Sequence, residues 1–148
     1  MLLLAERKTA RGWEAVLTYD EYGQALSFFQ VGRYHQFYYA LTGVAVGGIV
    51  RGRVDPSEEP PPVVRGPRGL PPGLSSGVRA EIYEVYSIWA IHWLGADEIL
   101  LHDWHPFLQR EARYSKPGEP EETFTMEFLD AVAKLEPVAE HRLVMWMY

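Results

Sequence analysis

The chain has 148 residues, enough for one domain that buries roughly two-thirds of the surface its unfolded form exposes. Its 20 acidic against 14 basic residues give a formal charge of −6, which argues against a DNA or RNA polymer as partner, because such binding neutralises many phosphates. Cysteine is absent, which excludes a disulfide framework and thiolate metal sites and is compatible with a reducing cytoplasm.

No apolar run approaches the roughly 20 residues of a membrane-spanning helix. Residues 1–11 place apolar residues before charges, the reverse of a secretory leader. The chain therefore reads as a single soluble domain, residues 1–148, interrupted by a long loop at about 50–76.

In chain order, Met1 to Arg7 reads as a strand and Gly12 to Tyr19 as a second, with a polar hairpin turn between them. Leu2 and Leu4 share one face of the first strand, Leu3 and Ala5 the other. Gly32 to Thr42 has helical spacing at Phe37, Tyr38 and Leu41, and Gly43 is a stop signal. Val44 to Val50 is an apolar, glycine-rich loop or short strand.

The long loop holds seven of the eleven prolines, and Arg51, Arg53, Arg65, Arg68 and Arg79 lie in or beside it. Proline lacks an amide donor and fixes φ, so no regular element runs through. Loops longer than about 12–15 residues are uncommon in compact domains unless functional or disordered.

Ser75 or Ser76 then caps a helix whose face is Val78, Ile82, Val85 and Trp89. Ala96 to His102 reads as a short helix with Ile99 and Leu100 inward. Pro106 is expected to end any helix at His102–His105. After a polar loop at Ser115 to Glu122, Thr123 to Leu135 is amphipathic, with Phe124, Phe128, Val132 and Leu135 on one stripe. Arg142 to Tyr148 is apolar on both faces, which places it mid-sheet beside the first strand. The fold class is α+β: one small mixed sheet, formed by the N-terminal hairpin and a central C-terminal strand, packed with three to four helices.

Walker and GxGxxG motifs are absent from the sequence. His102 and His105 are three apart and are weak metal candidates, set against a helix C-terminus whose dipole favours histidine. His35 and His92 read as core histidines in apolar helices. Five Trp and nine Tyr are many for an acidic chain of this size. Rings beside arginines can stack a base and clamp a phosphate, although most rings in a small domain fill the core.

Several segments resemble a family of uncharacterised bacteriophage and prophage proteins. Its members start with Met-Gly-Cys-Asp-Ile-His and carry a Pro-Arg-Gly-Leu-Pro loop. Leu4-Ala5-Glu6-Arg7 with Trp13-Glu14 resembles the opening strands, and Arg33-Tyr34-His35-Gln36-Phe37-Tyr38 the first helix. Pro67-Arg68-Gly69-Leu70-Pro71 matches the loop motif. Trp93-Leu94, Glu98-Ile99-Leu100 and Asp103-Trp104 match the next block, and Arg142 to Trp146 resembles the last strand. The Cys-Asp-Ile-His start is missing here, and Trp89-Ala90-Ile91-His92 replaces a His-Ser-His-Ser stretch.

The resemblance implies a pocket kept and a potential metal or acid–base site lost. The expected function is therefore sequestration, in a bacterial host cytoplasm, of a small anionic nucleotide-type signal made by host defence. The expected ligand contacts are Arg33, Tyr34, Tyr38, Arg68, Trp93, Asp103 and Trp104, with no cofactor, no catalytic set and no metal. Arg68 is taken as a ligand contact that matters little for stability. Two alternatives stay open: a phosphodiesterase or other hydrolase working through His92, His102, Asp103 and His105, and a protein–protein inhibitor that docks the proline loop. The terminal strand and apolar helices leave room for a homo-oligomer.

Overall fold

A computed structural model describes residues 2–29, 35–44, 62–84, 89–114 and 121–147. Its four strands are β1 (Leu2–Thr9), β2 (Gly12–Val16), β3 (Trp89–Gly95) and β4 (His141–Met147), and its five helices are α1 (His35–Thr42), α2 (Ser76–Glu84), α3 (Ala96–Leu101), α4 (His105–Tyr114) and α5 (Glu121–Ala133). The strands form one sheet in the order β2-β1-β4-β3. Every described pairing is antiparallel, so the sheet is not mixed. β4 is central and buried along its whole length, and it pairs with β1 from Leu2↔Trp146 to Arg7↔His141.

The alternation of β1 and β4 builds a core on each face. Leu3, Ala5, Leu143 and Met145 join Leu94 of β3 under α1, α3, α4 and α5. Phe37 of α1 is the hub of that side, with its ring 4.9 Å from Phe128 and 5.7 Å from Trp104, and such ring pairs add to plain area burial. Leu4, Val144 and Trp146 face the other way, onto Val78 and Ile82 of α2. Gly77 sets the closeness of that contact, because a Cβ there would lie 2.8 Å from the Ala15 Cβ of β2. The result is helices, sheet and helix in three layers.

Three sequence expectations change. Residues 89–95 form an edge strand, so Trp89 does not extend the α2 face and His92 is not helical. A helix also starts at His105 rather than stopping there. Pro106 falls in its first turn, where a missing amide has no intrahelical partner to lose. With α4 counted, five helices are described rather than three or four. The other described boundaries agree to within a few residues: Ser75 caps α2 through its Oγ, which accepts the Val78 N–H at 3.3 Å, and Gly43 leaves α1 at φ 70°. The expected helix start at Gly32, the segment Val44 to Val50 and the loop up to residue 61 lie wholly or mostly outside the described residues.

Candidate functional site

Residues 62–75, the described part of the proline loop, form a strap from the α1 side of the sheet, around the β3 edge, to the α2 side. Four contacts fix its course. The Val64 N–H donates to the Ala40 carbonyl at 2.8 Å. The Arg68 N–H donates to His92 Nδ1 at 2.9 Å. Arg142 Nη1 donates to the Pro72 carbonyl at 2.9 Å, and the Ser75 N–H donates to Glu6 Oε1 at 2.7 Å. Gly69, at φ 69°, adopts a conformation few other residues tolerate. The strap is bonded to β3, which stands at the edge of the sheet, through the His92 side chain.

Two arginines and two tryptophans line its inner side. The Arg68 guanidinium lies over the Trp93 ring, 4.4 Å from the centroid. Arg142 lies 5.6 Å from the Trp93 centroid and 3.9 Å from that of Trp13 on β2. Each cation has a carboxylate. Arg68 forks onto Glu98, with Nη1 donating to Oε2 at 2.7 Å and Nη2 to Oε1. Arg142 Nε donates to Glu6 Oε2 at 2.6 Å, with both side chains closed off from solvent. The Arg68–Glu98 pair is more open, with side-chain exposures of 19% and 30%.

Glu98 has a second task. It is the third residue of α3, and its carboxylate reaches back to accept the Gly95 N–H at 2.9 Å, half of a capping box. Burial would raise its pKa, but the Arg68 hydrogen bonds, the Gly95 N–H and the charges of Arg68 and Arg65 outweigh that and hold it below the ordinary carboxylate value. His92 is wholly buried. Burial first, and then the charge of Arg68, push its ring down to about 4, with Glu98 opposing.

The structure brings together only some of the expected ligand contacts. Arg68 and Trp93 meet. Tyr38 is fully buried, and burial raises its hydroxyl to about 12 against the opposing hydrogen bond with Thr42. Trp104 is 6% exposed, stacked on Phe37, and its Nε1–H donates to the Ile99 carbonyl at 2.8 Å. Both rings belong to the core, where a ligand base cannot reach them, because the helices on that face of the sheet need large apolar side chains. Asp103 is exposed, and its Oδ1 accepts the His105 N–H at 3.0 Å, ordering the start of α4. Arg33 and Tyr34 lie outside the described residues.

Of the metal candidates, His102 meets Trp104 edge-on at 5.0 Å and His105 bonds Gln109 at 2.8 Å. Burial lowers the His102 pKa, opposed by Asp103 and by a backbone bond with Pro62. No group of three or more metal-holding side chains gathers among the described residues. Arg68 is not a free cation but an anchor of the strap, so its removal is expected to affect stability, contrary to the sequence reading. Glu98, Glu6 and Arg142 were missed as partners. The spacing Gly95-x-x-Glu98 before an apolar run signals a capping box. The matched ends of two apolar strands, Leu2-x-Leu4-x-Glu6 and Arg142-x-Val144-x-Trp146, signal a buried pair.

An open basin of about 690 Å³ lies at the β1–β2 turn, lined by Arg7, Lys8, Thr9, Ala10, Ala139 and Glu140. It shares no residue with the strap, and Arg7 there faces Glu140 at 3.6 Å, with both side chains about half exposed. No helix among the described residues is long and apolar enough to cross a membrane. No protein-family model matches the chain, and no curated protein or solved structure matches it significantly.

Proposed function

We propose that the chain binds a small anionic ligand of the nucleotide type, such as a cyclic nucleotide or an ADP-ribose derivative, at the strap, and holds it without cleaving it. One observation carries this reading. The Arg68 guanidinium lies over an indole, and its donors are engaged by a two-oxygen anion, in a pair that remains partly open to solvent. A phosphate presents the same oxygen pair to the same fork. The ligand phosphate would take the place of the Glu98 carboxylate, and the exposed Arg65 would add a second positive charge. Trp93 would supply the apolar wall. The phage setting and the sequestration of a host-defence signal rest on the sequence resemblance alone.

The test is incubation with a panel of cyclic nucleotides and ADP-ribose derivatives, a thermal-shift scan, then heat release and chromatography. A shift with intact ligand recovered supports the reading. Cleaved products, especially chelator-sensitive ones, would support the hydrolase instead. The inhibitor reading also has its own observation: Leu70, 58% exposed on the anchored strap among prolines. Absence of any shift, with a partner protein retained by the wild type and lost in Leu70→Asp, would favour it.

A further inference from the structure

Besides the stacking of Arg68 on Trp93, the backbone of the strap is bonded to a β3 side chain at His92. His92 Nδ1 takes the Arg68 N–H at 2.9 Å. An imidazole nitrogen that accepts a hydrogen bond carries no proton, so the ring is neutral, with its proton on Nε2. That Nε2 is buried and has no hydrogen-bond partner among the described residues. Two charges act on the ring, the Arg68 guanidinium from the strap and the Glu98 carboxylate from α3. Arg142 and Glu6 lie on the opposite face of the sheet, where Trp93 points, because adjacent strand residues alternate.

We propose that His92 is an acid-released latch for the strap. A proton on Nδ1 turns the acceptor into a donor that faces the Arg68 N–H, and it adds a positive charge beside the Arg68 guanidinium. Both effects free the Arg68 backbone from the β3 edge, while the Arg68 side chain keeps its fork onto Glu98 and its place over Trp93. The sheet does not depend on that bond, since β4 is held on both sides by its own ladders. The latch therefore opens locally, before the fold is lost. Burial and Arg68, which push the ring down to about 4, keep it closed near neutral pH.

The experiment is nuclear magnetic resonance on the ¹⁵N-labelled full chain, taken from about pH 7 to about pH 3. It follows the His92 ring nitrogens, the Arg68 amide, and the Leu143 and Val144 amides of β4. The Arg68 amide is expected to lose protection from exchange by at least tenfold, with the midpoint of the His92 ring, while the β4 amides stay protected. His92→Gln, whose side-chain oxygen accepts at every pH, is expected to abolish that transition. If His92→Gln does not fold, Glu98→Gln is read instead, and there the Arg68 transition must still follow the His92 ring. The latch is overturned if the Arg68 amide is unchanged while the ring titrates. It is equally overturned if the same transition persists in His92→Gln, or if the ring stays neutral until the β4 amides are lost.

Discussion

A guanidinium and a carboxylate that are both shut away from water stabilise a fold only while they remain together. Glu6 and Arg142 are in that position, with side-chain exposures of 0% and 1%, and burial lowers the Arg142 pKa against the support of Glu6. Arg142→Met alone leaves a buried carboxylate without its cation and should destabilise by about 3–5 kcal/mol. The double variant Glu6→Leu/Arg142→Met should be less destabilised than the sum of the singles, as read by urea denaturation. A strictly additive double variant would mean that the pair is not coupled. Arg68→Ala removes a more open pair together with its stacking on Trp93, so a smaller loss is expected, about 1–2 kcal/mol. That corresponds to a melting temperature lower by several degrees.

At the scale of elements, the ends of helices carry the information. Asp103 orders the first turn of α4, and Pro106 fits that turn. Asp103→Ala should lose about 1 kcal/mol of stability, whereas Asp103→Asn should retain most of it. A scan in which both variants bind ligand less well at unchanged stability would instead return Asp103 to the ligand-contact role expected from the sequence. The start of α4 is hard to read from the sequence because Pro106 breaks a helix that precedes it but fits the first turn of one that follows. β3 was misread because Val78, Ile82, Val85 and Trp89 keep helical spacing although the chain changes element between them. By contrast, β1 and β4 were legible from simple alternation, since each strand is apolar on both faces and only a central or doubly covered position accommodates that. The ligand-site residues were the least legible. Tyr38 and Trp104 are as suited to a core as to a base, and only tertiary packing decides which they serve.

For the whole molecule, the strap links the two faces of the sheet, so its attachment governs both stability and access to Arg68. The pH dependence follows from His92. Its folded pKa, about 4, lies below the ordinary 6.5, so the unfolded chain binds the proton more readily. The stability it contributes is fully present above pH 6.5 and is lost as the pH falls from 6.5 toward 4. Denaturation midpoints should therefore decline across that window, and His92→Phe should flatten the slope there. A wild-type slope that survives in His92→Phe would assign the decline to other groups.

Isothermal titration calorimetry of the wild type, Arg68→Gln and Glu98→Gln with the same nucleotide-type ligand tests binding at the strap most directly. The account expects the wild type to bind, Arg68→Gln to lose binding while remaining folded by circular dichroism, and Glu98→Gln to bind more tightly because the internal competitor for Arg68 is gone. No binding in any of the three across the panel, or undiminished binding in Arg68→Gln, would contradict it.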